Sequence, residues 1–354
     1  MSNPLKVAVI GAGRMGRRTA QAVADDPAWE LVAISDLNPE VRVELNDAFP
    51  GVRVTDDTPT ILSDSTIEAV AITTLADVRP ALMREALASG KHVWAEKPIA
   101  ATVEEEAQLL ELIECSGLHV CVNLFNRNGQ YHERMQAFIA SGEIGDLASI
   151  RVRHQTPGLL PGGGHEPEGP PFHNCGMHYV DVVRWYAGSE FRDWDARGIC
   201  FWGHPDPWWV DVHGTFENDI FFQVTNGFNF GQEADSPRTS CGLEIMGTKG
   251  VIVMEHDFKT VTVDLRGHTQ THLERFPYGG KKVDVMARRL AEAIQGGPVR
   301  YPTARDSVVA SRVSWQMLEQ AARNPSRWGK PGDLDHVLAH REKLRQREAA
   351  PAPG

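Results

Sequence analysis

The stretch Lys6-Val-Ala-Val-Ile10-Gly11-Ala-Gly13-Arg-Met-Gly16 decides the fold of the amino-terminal part of this chain. An apolar, β-rich run feeds directly into a GxGxxG turn, and a helical stretch over residues 15–25 follows without a break. Each glycine answers a specific demand: Gly11 allows the tight turn, Gly13 lets the backbone approach a pyrophosphate, and Gly16 lets helix and strand pack closely. The helix N-terminus then faces the anion. About twenty positions on, at the end of the second strand, such a site calls for a carboxylate to take the ribose hydroxyls. Asp36 stands there. That carboxylate repels a 2′-phosphate, and its neighbours Leu37 and Asn38 bring no cation to relieve it, so NAD is expected rather than NADP. Arg14 and Met15 in the turn, Thr74 after the fourth strand, and Glu96 and Lys97 after the fifth complete the expected cofactor contacts.

Working outward, strand patterns at 6–10, 29–35, 69–73, 92–96 and 119–123 alternate with helical patterns at 15–25, 41–49, 80–90 and 103–117. Alternation of this length means parallel pairing through crossover helices, a Rossmann dinucleotide-binding domain placed at residues 1–125. From about Gly145 the texture changes to longer β-type runs at 149–154, 214–224 and 251–265, with a strong helix near 177–186 and further helices at 282–295 and 306–322. An α+β domain is placed at 126–330, with a tail at 331–354. Glycine- and proline-rich stretches at 156–171 and 203–209 read as loops, and long loops of that kind are more often functional than accidental.

Composition narrows the class. The 354 residues carry 36 Lys+Arg against 47 Asp+Glu, a net charge of −11, which argues against a general nucleic-acid binder. With 42% hydrophobic and 23% charged residues, the chain lacks the signature of disorder. Five cysteines without a CxxC pair, no secretory signal pattern and no bilayer-length apolar run make a cytoplasmic protein with reduced thiols, off the membrane, the expectation.

Two elements carry chemistry. Glu96-Lys97-Pro98 ends a strand on the carboxyl edge of the sheet, where Lys97 either presents an ammonium to a bound substrate oxygen or is a surface lysine paired with Glu96. Asn174-Cys-Gly-Met-His178-Tyr-Val-Asp181 opens the helix of the second domain. At that spacing Asp181 shares the His178 face and Asn174 lies one turn earlier, so His178 is either an imidazole oriented toward a cleft beneath an amide or a packing or surface residue of an amphipathic helix.

Together these residues resemble the glucose–fructose oxidoreductase, inositol dehydrogenase and rhizopine-catabolism (Gfo/Idh/MocA) family over roughly residues 5–325. The resemblance rests on the GxGxxG strand, Asp36, the stretch Ala86-Leu-Ala-Ser-Gly-Lys-His-Val-Trp-Ala-Glu-Lys-Pro98, Gly142-Glu-Ile-Gly145 and the Asn174/His178/Asp181 helix start. It implies a Rossmann domain followed by a domain with a large open, mostly antiparallel sheet, assembled into dimers or tetramers, and NAD(P)-dependent redox chemistry on sugars or cyclic polyols. In that pattern the lysine at Lys97 binds the reacting oxygen and the histidine at His178 is the general acid or base. The chain departs from the pattern at Asn174, where Asp is usual, and at Thr73-Thr-Leu-Ala-Asp-Val-Arg79, which replaces the usual proline and histidine. It departs again in the loop holding His165, Glu166, Glu168 and His173.

The candidate catalytic set is therefore Lys97, His178 and Asn174, with Arg127 and His165 added as substrate contacts. The loop histidines and carboxylates fit no zinc spacing, and no metal is expected. Trp202, His204, Asp206, Trp208 and Trp209 suggest either an aromatic platform for a sugar ring or core and interface packing. The reading is hydride transfer between a carbohydrate carbinol and NAD. The alternative is a glycoside-cleaving enzyme that retains NAD and works by transient oxidation and elimination.

Overall fold

The computed structural model describes residues 3–157, 169–333, 335–337, 339 and 342, and the chain divides into two compact units. The first, residues 1–128 with 281–311, begins β1 (Leu5–Ile10), α1 (Arg14–Asp25), β2 (Trp29–Ser35), α2 (Pro39–Ala48), β3 (Arg53–Thr55) and α3 (Thr58–Ser63). It continues with β4 (Ala69–Ile72), α4 (Arg79–Ala88), β5 (His92–Ala95), α5 (Val103–Ser116) and β6 (Val120–Val122). The six strands pair in parallel in the order β3-β2-β1-β4-β5-β6. Both faces are covered, as parallel sheets require. Leu5, Val7 and Val9 of β1 enter one core cluster while Ala8 and Ile10 enter the other.

Local chemistry sets the crossovers. Asn38, Asp57 and Thr102 cap α2, α3 and α5 by accepting from Glu40, Thr60 and Glu105 amides. β3 and α3 were not anticipated, because three and six residues hold too little periodicity to register.

Residues 281–311 return to this unit, so it is not one consecutive stretch as expected. The cause is apolar: in α8 (Val283–Ile294), Met286, Ala287, Leu290, Ala291 and Ala293 join the cluster of Ala20, Val23 and Trp29. The Trp29 indole donates to the Ala287 carbonyl at 3.0 Å.

The second unit holds α6 (Gln130–Ala140), β7 (Leu147–Gln155), α7 (Met177–Ala187), β8 (Phe191–Phe201), β9 (Trp209–Phe216) and β10 (Phe221–Gly227). After these come β11 (Ser240–Gly247), β12 (Val251–His256), β13 (Thr260–Arg266) and β14 (Thr271–Pro277). The latter part of α9 (Ala304–Arg323) and β15 (Ser326–Trp328) close it. Its nine-stranded sheet runs β14-β13-β12-β11-β7-β10-β9-β8-β15 and is antiparallel except at β7·β10 and β8·β15. Two runs expected as single strands are hairpins. The chain turns at Asp219, φ +64°, inside 214–224, and at Phe258, φ +66°, inside 251–265. Asp257 fixes the latter turn by accepting from the Lys259 and Thr260 amides.

Candidate active site

Gly11 closes the turn that β1 opens; its φ is +86° and its amide donates to the Ser35 carbonyl at 2.8 Å. Gly16 is a packing glycine, since a Cβ there would lie 1.9 Å from the Gly11 carbonyl oxygen. Gly13 is different: with an ordinary φ of −64° it precedes α1, and a Cβ would meet nothing within 4 Å. No side chain caps α1 and no acidic residue stands in its first turn. Its leading amides and the positive end of its dipole therefore face open space, an arrangement that fits a pyrophosphate. Thr74 lies against the same turn, and its Oγ1 is buried without a hydrogen-bond partner. Arg14 is exposed and Met15 half-buried on the first turn of α1.

Asp36 is tied into this turn. Its Oδ2 accepts from the Ala12 amide at 2.7 Å and its Oδ1 from the Asn38 amide at 2.8 Å. Behind it stands a cation that the sequence reading missed. Arg42, one turn into α2, donates to the Asp36 and Leu37 carbonyls at 2.9 Å each and pairs with Asp56 at 2.9 Å.

Glu96-Lys97-Pro98 turns at the carboxyl end of β5, beside β4 in the sheet, with a cis peptide before Pro98. Lys97 is only 8% exposed, which does not suit a solvated surface lysine. Glu96 is buried as well and accepts from Asn123 Nδ2 at 2.6 Å. Beneath the turn, the buried Arg79 donates to the carbonyls of Thr74 and Pro98, so one guanidinium clamps the loops after β4 and β5. Glu106 accepts from the Ile99 amide at 3.2 Å. Burial raises its pKa to about 8, against the opposing pull of a Ser311 hydrogen bond, the Ile99 amide and the Arg79 charge. Arg127 pairs with Asp306 at 3.3 Å and so helps to hold the returning segment in the first unit.

In the second unit, Phe172–Gly176 form a π-helical turn that runs straight into α7. The sequence spacing anticipated a plain helix start. Gly176 permits the wider turn by letting the Phe172 ring fold back to within 2.8 Å of where a Cβ would stand. Such turns concentrate at functional positions. Asn174 lies in this turn, and its amide donates to the Pro170 carbonyl at 2.8 Å. His178 and Asp181 follow in α7 at 4% and 0% exposure. His173 is buried against Trp315, with ring centroids 4.8 Å apart. Trp202 and Trp208 form a buried cluster with Val337, so packing accounts for both. His165, Glu166 and Glu168 lie outside the described residues, as does most of the expected tail.

Two family models match the chain: an oxidoreductase family, NAD-binding Rossmann fold, over residues 5–124, and the GFO/IDH/MocA C-terminal domain over 132–253. The chain belongs to the GFO/IDH/MocA oxidoreductase family. Among its relatives in that family is the scyllo-inositol 2-dehydrogenase (NAD(+)) of Bacillus subtilis, 23% identical over 96% of this chain and 99% of that one. Levoglucosan dehydrogenase in complex with NADH has the same fold, with a TM-score of 0.77 at 22% identity over 90% of this chain and 97% of that chain. So has KijD10, a 3-ketoreductase from Actinomadura kijaniata solved with TDP-benzene and NADP. Its TM-score is 0.71 at 19% identity over 93% of this chain and all of that one (100%).

Within this GFO/IDH/MocA chain the first unit gathers Gly11, Gly13, Gly16, Asp36 and Thr74 around the start of α1, and carries Glu96 and Lys97 two strands away. Asn174 and His178 belong to the second unit. Arg79 and Glu106 were not singled out as site residues, although the departure of the stretch Thr73–Arg79 from the family pattern was the available signal for Arg79. No helix among the described residues is long and apolar enough to cross a membrane.

Proposed function

We propose that this oxidoreductase transfers hydride between a carbinol carbon of a sugar, sugar derivative or cyclic polyol and NAD, with NAD preferred to NADP. The observation that carries the reading is the buried Lys97 at the carboxyl end of β5, since open α/β sheets bind ligands at that end, beside the point where strand order reverses. The inositol and levoglucosan names of the relatives support a polyhydroxylated substrate.

When bound, the nicotinamide supplies the hydride acceptor or donor. Lys97 holds the reacting oxygen and stabilises the negative charge that develops on it, an electrostatic role that burial strengthens. His178 takes or returns the hydroxyl proton. Asn174 orients substrate and imidazole as a neutral amide, which leaves proton transfer to His178. The Asp36 carboxylate receives the ribose hydroxyls and disfavours a 2′-phosphate, while the Arg42 charge is engaged by Asp56. Arg127 and His165 are assigned as further substrate contacts. Assembly into a homodimer or homotetramer is assigned to the solvent-facing side of the nine-stranded sheet, where Met246, Val251 and Val253 are exposed.

The test is NAD reduction against a panel of aldoses, inositols, sugar acids and anhydrosugars, followed by Lys97→Ala on the best substrate. The variant should lose on the order of 100-fold or more in kcat/KM. Its NADH affinity should stay within about threefold, a change below 1 kcal/mol. Undiminished turnover would remove Lys97 from the mechanism.

A further inference from the structure

β7, β11 and β12 are neighbours in the second unit, and their register sets three ligand-type side chains in one row. Cys241 of β11 pairs directly with His154 of β7 on one side and with His256 of β12 on the other. Residues opposite one another across antiparallel strands project from the same face of a sheet. His154, Cys241 and His256 accordingly bring one ligand atom each to within 4.8 Å of one another.

We propose that His154, Cys241 and His256 form a binding site for a borderline-soft divalent transition metal, with zinc as the best chemical match. The ligand set is two imidazoles and a thiolate, the donors zinc favours. Zinc–nitrogen and zinc–sulfur bonds of about 2.0–2.3 Å at tetrahedral angles put neighbouring donors about 3.3–3.8 Å apart. Cys241 Sγ and His154 Nδ1 are already 3.4 Å apart. The remaining closure from 4.8 Å is at most about 1.5 Å, within reach of side-chain rotation.

The surroundings hold the row in place. Tyr179 stacks on His154 with centroids 4.6 Å apart, Tyr278 stacks on His256 at 4.8 Å, and the Phe258 ring meets both imidazoles edge-on. This aromatic shell fixes ring orientation, as outer contacts do at metal sites. A packing role alone leaves one cost unexplained: His256 Nδ1 is buried with no hydrogen-bond partner. A cavity of about 350 Å³ lined by Arg153, Ser240, Cys241, His256 and Asp257 opens beside the row and gives an ion its way in.

Binding exchanges the Cys241 thiol proton, released to solvent, for a sulfur–metal bond. The fourth position falls to water from the cavity beside the row. His154 Nδ1 would give up its 2.6 Å bond to the Tyr179 hydroxyl, so occupancy is read directly by the helix residue next to His178. The sequence hides this site, because its three ligands lie on separate strands with no spacing motif.

Cobalt(II) tests the proposal. The reduced, chelator-stripped full chain is titrated with Co²⁺ while the near-ultraviolet thiolate-to-cobalt band and the tetrahedral visible bands are followed. One Co²⁺ per chain is expected, displaced by Zn²⁺. Cys241→Ser should abolish the near-ultraviolet band, while Cys115→Ser, which alters an exposed thiol elsewhere, should keep it. His256→Gln should weaken binding by at least about tenfold. Circular dichroism checks that each variant is folded; if Cys241→Ser is not, wild-type stoichiometry together with His256→Gln decides. A reduced wild-type chain that takes up no cobalt, a band that persists in folded Cys241→Ser, or unchanged affinity in folded His256→Gln overturns the proposal.

Discussion

Two glycines of the same turn should fail in opposite ways when each is replaced by alanine. At Gly16 the new Cβ would lie 1.9 Å from the Gly11 carbonyl oxygen and 2.7 Å from Thr73 Oγ1. Relief to even 3.0 Å requires a movement of about 1.1 Å, and the opposing atom is backbone, so α1 must withdraw from β1. Overpacking of this kind costs about 1–3 kcal/mol, and the backbone obstacle places Gly16→Ala at the upper end. At Gly13 a Cβ meets nothing within 4 Å and φ is −64°, so no clash arises. The small loss of a glycine at the helix cap is offset by the stiffer unfolded chain, leaving a net change within about 0.5 kcal/mol. The methyl group would instead fill the space in front of the α1 amides that a pyrophosphate needs. Gly13→Ala should therefore keep wild-type stability in urea denaturation and lose at least about tenfold in NADH affinity by fluorescence titration, near 1.4 kcal/mol. Gly16→Ala should lower the urea midpoint in the absence of nucleotide. Wild-type NADH affinity in Gly13→Ala, or an unmoved midpoint in Gly16→Ala, would refute the assignment of these roles.

Asp36→Ala should weaken NADH more than NADPH and narrow the ratio of their dissociation constants by about tenfold or more; an unchanged ratio in parallel titrations would place cofactor selection elsewhere. Glu106 should make stability depend on pH. Its folded pKa of about 8 stands above the ordinary 4.5, so between those values the folded chain keeps a proton that the unfolded chain has released. Stability from this group is full below about pH 4.5 and falls as pH rises toward 8, by up to about 1.4 kcal/mol per unit. Glu106→Gln should flatten that slope in urea melts from pH 5 to 8, and an identical slope in the variant would contradict the burial argument.

The first unit was largely legible because its signals are local. A strand, a glycine turn and a helix follow one another between Lys6 and Asp25, and the carboxylate at Asp36 comes at the distance one crossover dictates. What escaped depends on distant partners. α8 reads as an amphipathic helix in any context, and only the apolar surface of Ala20, Val23 and Trp29 assigns it to the first unit. Arg42 looks like an ordinary helix residue until α2 folds its guanidinium back onto the carbonyls of Asp36 and Leu37. Arg79 reads as a charged helix start, yet it is buried under the Lys97 turn. In the second unit, single residues in the left-handed region, Asp219 and Phe258, split runs whose hydrophobic pattern continues across the break. The His178 helix start was visible from spacing, whereas the widened turn before it depends on how Phe172 packs against Gly176.

The most direct measurement follows one atom. C-deuterated aldoses, inositols and anhydrosugars are incubated with the chain and NAD, and the recovered nucleotide is examined by mass spectrometry and proton NMR. The account predicts deuterium at nicotinamide C4 from at least one substrate, in wild type and not in Lys97→Ala. A chain that binds NADH yet transfers deuterium from none of them, to NAD or to NADP, would contradict it.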